Sequence, residues 1–171
     1  MEGIAEFYKV SFEQFQRDSI ITGFIDENVP EEIVRIVWDK IKLPVRATTG
    51  SVGYDFYLPW PFHLSVGNSI TIPTGIRACI QPGWGLLLLP RSSLGFKYGM
   101  RFANTAPLID SDYAYANNEG HIMAKFSVDS NMCLTEGERF MQSIFVQCGT
   151  TISDNQLGMD RIGGFGSTGV D

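Results

Sequence analysis

Apolar and polar positions divide the chain into two regimes. Residues 1–43 carry helical spacing, and residues 44–171 read as short strands separated by turns. In the first regime, residues 7–10 predict a strand. The segment SFEQ at 11–14 matches a capping box, in which hydroxyl and amide satisfy each other's backbone donors, and predicts a short helix to about Asp18. NVPEE at 28–32 reads as a second helix start, with proline early and acids in the first turn. Val34, Val37, Trp38 and Ile41 follow at helical spacing, Ile33 and Ile36 widen the stripe, and Pro44 stops it. The stripe predicts a helix packed on the domain; the sharper alternative is a helix that meets a protein partner.

In the second regime, strand candidates recur at 69–72, 76–80, 84–89, 122–128 and 140–147. Ile122, Ala124, Phe126 and Val128 alternate with Met123, Lys125 and Ser127, the period of a half-buried strand. Turn residues at 67–68, 73–75, 81–83 and 136–137 separate the candidates. Regular short strands of this kind predict a sandwich, jelly roll or barrel.

Length and composition narrow the classes. A chain of 171 residues fits one domain and can bury a sizeable core. Hydrophobic residues at 44% and charged residues at 19% exclude overall disorder. A net charge of -6 excludes a surface that attracts nucleic acid as a whole, so any polyanionic ligand needs a local cluster of donors and a cation. Cys79, Cys133 and Cys148 form no CxxC pair, which predicts buried reduced thiols rather than a zinc ribbon or a disulfide framework. His63 and His121 cannot supply a zinc triad, and they predict solvent-facing or hydrogen-bonding roles. The N-terminal stretch reads as no signal peptide, and apolar runs such as 86–90 are too short to span a bilayer, so a cytoplasmic protein is expected.

Five segments carry candidate chemistry: GYDFYL at 53–58, PRSSLG at 90–95, NTAPLIDSDY at 104–113, GERFMQ at 137–142 and RIGGFGSTG at 161–169. Arg91, Ser92 and Ser93 suit phosphate, because a guanidinium forks onto two oxygens and each hydroxyl donates once. Taken alone, the same stretch is an ordinary polar turn. Residues 163–169 resemble a phosphate loop, yet the Gly-Lys-Ser/Thr ending of a Walker loop is missing. Phe165 within it suits stacking on a flat ligand. Asp110 follows apolar Leu108 and Ile109; a carboxylate at such a junction serves as a general base or closes a turn.

Together and in this order, the five segments resemble the five motifs of the trimeric deoxyuridine triphosphatases (dUTPases). LPVRATTGSVGYD at 43–55 looks like the entry into the first motif, and the resemblance covers about 44–171. It implies an all-β fold, a distorted jelly roll of the β-clip type, here with a small helical N-terminal insertion at 19–42 and a C-terminal arm at 160–171, all in one domain. It further implies a homotrimer with shared sites, and hydrolysis of dUTP to dUMP and pyrophosphate. That activity would limit uracil in DNA and supply dUMP for thymidylate synthesis.

Residue by residue, the resemblance makes Asp110 the general base that activates water and Asp55 the acid that supports the site. Tyr113 packs under deoxyribose and Asn104 binds uracil. Arg91, Ser92, Ser93, Gly95 and Gln142 meet phosphates. Phe165 stacks on uracil, while Arg161, Gly166, Ser167 and Thr168 close over the substrate's far end. Mg²⁺ is expected on the phosphates and water, with no direct protein ligand and Asp55 in its outer shell. A relative with the same fold, dCTP deaminase, is the enzymatic alternative, against which the terminal GGFGSTG speaks. A nucleotide-controlled regulatory protein is the alternative from another class.

Three departures from the family's pattern stand out. Pro107 replaces a common glycine, AYANNEG at 114–120 replaces a short turn, and Arg161 stands four residues before Phe165 where five is common.

Overall fold

The computed structural model describes residues 3–154. In chain order the elements are β1 (Ala5–Lys9), α1 (Phe12–Ile21), α2 (Glu31–Lys40), β2 (Val45–Arg46), β3 (Tyr54–Tyr57), β4 (Phe62–Leu64), β5 (Ser69–Pro73) and β6 (Ile76–Ile80). There follow β7 (Trp84–Pro90), α3 (Ser92–Tyr98), β8 (Arg101–Phe102), β9 (Leu108–Ile109), a 3₁₀ turn (Tyr113–Tyr115), β10 (Met123–Ser127), β11 (Met132–Leu134) and β12 (Arg139–Gln147). The five clearest strand candidates all form, shifted by a residue at some ends.

The largest sheet runs β2-β3-β12-β7-β9, and smaller sheets pair β1 with β6, β4 with β11, and β5-β10-β8. Neighbouring strands are antiparallel throughout these sheets. Their inward residues, among them Phe56, Ile72, Ile76, Leu86, Leu88, Ile122, Phe126 and Phe140, meet in one core. This is the expected jelly-roll-like β fold. Leu86 and Leu88 are fully buried, and their strand β7 is hydrogen-bonded on one side to β12 and on the other to β9.

The helical part of the N-terminal segment starts before residue 19. Its first helix begins at Phe12, and Phe15, Phe24, Ile25, Val34, Val37 and Ile41 belong to the common core. The helices are therefore a layer of the domain. Ile33 and Ile36 do not widen the buried stripe; they are 41% and 49% exposed. Helix α2 ends at Lys40, before Pro44, once Ile41 turns to an extended conformation.

The capping box at Ser11 is only half formed. The Gln14 amide donates to Ser11 Oγ at 3.1 Å, but the Gln14 side chain donates instead to Asp18 Oδ2 at 2.9 Å. The reciprocal cap comes from Glu119, whose carboxylate accepts from Ser11 N–H at 2.7 Å and from Ser11 O–H at 2.6 Å. A partner 108 residues away lies beyond any local motif.

Candidate active site

One half of the site forms where β3, β12 and the end of β7 meet. Asp55 on β3 pairs across the ladder with Gln142 on β12. A register shift between Arg139 and Met141 marks a bulge in β12. Arg139 and Gln142 are an odd number of residues apart and would face opposite sides of a regular strand. The bulge turns both toward Asp55. Arg139 Nη1 donates to Asp55 Oδ2 at 2.9 Å, and Arg91 Nε lies 3.6 Å from Asp55 Oδ1. Arg91 also donates to the Arg139 carbonyl at 3.3 Å. Asp55, 8% exposed, thus holds two guanidiniums.

An open cleft of about 450 Å³ lies over this cluster, lined in part by Gly53, Asp55, Arg91, Ser92, Arg139 and Gln142. Arg91 caps α3, so residues 90–95 are a strand end running into a helix, not a free turn. Ser92 faces the cleft. Ser93 faces a neighbouring one that shares Arg91 and Arg139, and Gly95, inside α3, lines neither. A Cβ on Gly53 would sit 2.8 Å from Gln142 Oε1, so glycine there leaves the space the Gln142 amide occupies. Arg139 was missed by sequence reasoning, because only the bulge reveals which way it points.

The second half lies elsewhere. Asn104 is exposed on the loop between β8 and β9, next to Thr105 at a positive φ of 63°. Asp110 is exposed directly after β9, and the Tyr113 N–H donates to its carbonyl at 3.2 Å, closing a turn. Tyr113 is 2% exposed; its hydroxyl donates to the His121 carbonyl at 2.9 Å and accepts from Asn118 Nδ2 at 2.7 Å. Ile109 pairs with Leu86 on β7, which sets Asp110 level with Gly85. Arg91 lies six residues further along that strand, so about 20 Å separate the Asp110 end from the Arg91 end. Within the chain the two halves of the predicted site, so far as the described residues form them, do not meet. Arg161, Phe165, Gly166, Ser167 and Thr168 lie outside the described residues.

The loop at 114–120 binds the N-terminal helix. Glu119, at a positive φ of 58°, reaches Ser11, and Arg77 Nη2 donates to the Ala114 carbonyl at 2.8 Å. Left-handed backbone costs a non-glycine residue about 1–2 kcal/mol, so the carboxylate occupies that position against the local preference. His121 is fully buried, with Nε2 accepting from Gly75 N–H at 2.8 Å and Nδ1 bonded to Asp18 Oδ2. Burial pushes the Asp18 pKa up, but hydrogen bonds from His121 and Gln14 outweigh it and hold the carboxyl below its ordinary value. His63 Nδ1 lies 2.8 Å from Cys133 Sγ across the β4–β11 pair. The buried-thiol expectation fails: Cys133 and Cys148 are exposed and Cys79 is half-buried. They stand at strand positions or ends that face away from the core. Among the described residues no helix is long and apolar enough to cross a membrane.

Residues 39–169, which include all five segments, match the family model described as dUTPase. The chain belongs to the dUTPase family. It is 37% identical over 135 residues to the deoxyuridine 5'-triphosphate nucleotidohydrolase of Lactococcus lactis subsp. lactis, covering 76% of this chain and 89% of the relative. It is 40% identical over 141 residues to the enzyme of the same description from Hahella chejuensis, covering 77% and 90%. Among solved structures, the dUTPase from Streptococcus mutans superposes with a TM-score of 0.58 at 33% identity, covering 74% of this chain and 94% of that one. A dUTPase from phage phi11 of S. aureus, whose structure concerns coordination of a structural Mg(II) ion, shares the fold at 16% identity and a TM-score of 0.58, covering 68% and 90%. In this dUTPase-family protein, β1, α1 and most of α2 precede the residues matched to the family model.

Proposed function

We propose that the protein hydrolyses dUTP to dUMP and pyrophosphate at sites built between the subunits of a homotrimer. The separation of the two half-sites carries this reading. A base must stand within about 3 Å of the water it deprotonates, and phosphate donors must touch the same substrate. With about 20 Å along β7 between them, Asp110 of one subunit serves the Arg91 cleft of its neighbour. Closed rotational assembly supplies such a head-to-tail contact three times over.

In this mechanism Asp110 accepts a proton from water as its oxygen bonds to the α-phosphorus. The α,β-bridging P–O bond breaks and pyrophosphate leaves. Arg91, Ser92 and Gln142 bind phosphate oxygens, and Ser93 contributes from the adjoining cleft. Asp55 holds both Arg91 and Arg139, so the anion meets donors already in place and little reorganisation remains for the reaction. Asn104 pairs with uracil, and Tyr113, locked by its hydroxyl, forms a fixed wall under the sugar that leaves no room for a 2′-hydroxyl. Phe165 and the hydroxyls of Ser167 and Thr168, with Gly166 and Arg161, close over the base and the terminal phosphate.

The donors fit Mg²⁺ carried by the substrate. Asp55 is already engaged by two guanidiniums, and among the described residues no three His, Cys, Asp or Glu side chains gather as a metal site. A cation on phosphate oxygens and water, with Asp55 in its outer shell, suits that set. When bound it neutralises charge on the phosphates and on the leaving pyrophosphate. The reaction consumes a nucleotide that polymerases would insert and yields the monophosphate that thymidylate synthesis uses, a role suited to a cytoplasmic protein.

Pyrophosphate release from dUTP, dTTP, dCTP and UTP in parallel tests this reading. We expect dUTP to be preferred by at least about 10²-fold in kcat/KM, because a site that hydrogen-bonds one base edge leaves the wrong partner unpaired. Chelation of Mg²⁺ is expected to suppress turnover. Equal rates on all four nucleotides, or ammonia release from dCTP, would contradict the assignment.

A further inference from the structure

The N-terminal helix and the long loop after the catalytic turn lack a role in the chemistry so far. Helix α1 precedes the residues matched to the family, and AYANNEG at 114–120 departs from the family's pattern. The structure joins the two. We propose that α1 positions the Asp110–Tyr113 turn, with Asp18 and Glu119 as the positioning residues. The inference rests on the reading of Asp110 as the base and deepens it.

The path is short and wholly hydrogen-bonded. Asp110 is held in its turn by the N–H of Tyr113. The Tyr113 hydroxyl donates to the His121 carbonyl, and Asn118 donates to that hydroxyl. The ring of His121 takes the Gly75 N–H on Nε2, which leaves the proton on Nδ1 to donate to Asp18 of α1. Gln14, one turn earlier, donates to the same Asp18 oxygen and fixes the carboxylate on the helix. A second path runs through Glu119, which caps α1 through both the N–H and the hydroxyl of Ser11. Between the two ties, Arg77 on β6 holds the Ala114 carbonyl.

Burial makes the path through His121 rigid. His121 is fully buried, Asp18 is 8% exposed and Tyr113 2%, so water cannot substitute for a lost partner. Helix α1 is itself fixed by Phe12 and Phe15, which lie in the core. Gly120 cannot relax the loop either. Its φ is +69°, and a Cβ there would come within 2.6 Å of the Ala114 backbone. The outcome is an exposed Asp110 on a turn anchored at its far side to a helix. A general base needs this kind of support, since small displacements of a catalytic group cost rate rather than binding.

The test uses the full chain and three variants: Asp18→Ala, Asp18→Asn and Glu119→Gly. Asp18→Asn keeps an acceptor for the His121 Nδ1–H, and Glu119→Gly removes the tie to Ser11 while relieving the left-handed backbone. With dUTP as substrate, Asp18→Ala and Glu119→Gly are expected to lower kcat about tenfold while KM stays within about twofold. Asp18→Asn is expected to restore most of kcat. Amide exchange is a readout independent of activity: at Tyr113, Tyr115 and Ala116 it should quicken about tenfold in the two disruptive variants and not in Asp18→Asn.

Unchanged kcat and unchanged exchange in Glu119→Gly and Asp18→Ala would overturn the proposal. An Asp18→Asn variant as slow as Asp18→Ala would overturn the hydrogen-bonded path through His121. Should Asp18→Ala fail to fold, Glu119→Gly decides alone. Looser exchange in these variants together with an Asp110→Asn variant that keeps full turnover would leave the buttress standing and remove the base.

Discussion

Asp110→Asn is expected to bind dUTP with nearly unchanged affinity and to turn it over about 10³-fold more slowly, within the usual range for loss of a general base. The substitution keeps the side chain's shape and its capacity to orient water. It removes the carboxylate's charge and with it the ability to take the proton. The turn that presents residue 110 is closed by a main-chain bond from Tyr113, so the substitution leaves the backbone scaffold intact. The loss should therefore fall on kcat, with a dUTP analogue carrying an imido bridge between the α- and β-phosphates binding the parent and the variant alike. Turnover within about threefold of the parent would remove Asp110 from the chemistry, because no rearrangement of an exposed side chain compensates for a missing base at that scale.

Asp55→Ala is expected to lower kcat/KM by about 10²-fold, mostly through KM. Asp55 touches no substrate in this account. It stands between Arg91 and Arg139, at 3.6 Å and 2.9 Å, and lets two like charges share one wall of the cleft. Without it the guanidiniums repel, and each loses the geometry that matches a phosphate. Asp55→Asn should fall between the two, since one oxygen remains to accept from Arg139 while the negative charge is gone. Steady-state kinetics on the three proteins checks the order. Asp55→Ala with an unchanged KM would mean that the arginines are positioned by something else.

Much of the fold was legible because its signals are local. Alternation at 122–128 and turn residues at 73–75 and 81–83 are properties of neighbours in sequence, and the strands formed there. The helical stripe was legible in part. Val34 and Val37 are buried as the spacing demands, whereas Ile33 and Ile36 lie on a face left exposed among the described residues. The cap on Ser11 was illegible because Glu119 arrives from the far end of the chain, and the mismatch showed only when Gln14 turned to Asp18 instead.

The site divides in the same way. Its residue types were legible as motifs, and the cleft does gather Asp55, Arg91, Ser92 and Gln142. Arg139 was not, since its direction depends on a bulge that sequence periodicity cannot announce. Nor was the gap between Asp110 and Arg91, which follows from the register of β7 with β9 and underlies the proposal of a site shared between subunits.

Subunit mixing tests that proposal most directly. Chains bearing Asp110→Asn and chains bearing Asp55→Ala are refolded together, and mixed trimers are verified by native mass spectrometry. If each site takes Asp110 from one subunit and the Asp55 cleft from the next, a random equal mixture leaves half the chains sound on each count. About a quarter of the sites then carry two sound halves, and at dUTP concentrations well below KM, where both variants are slow, the mixture should recover roughly a quarter of the parent's rate from two nearly inactive parts. A mixture no more active than its components would contradict a site shared between subunits.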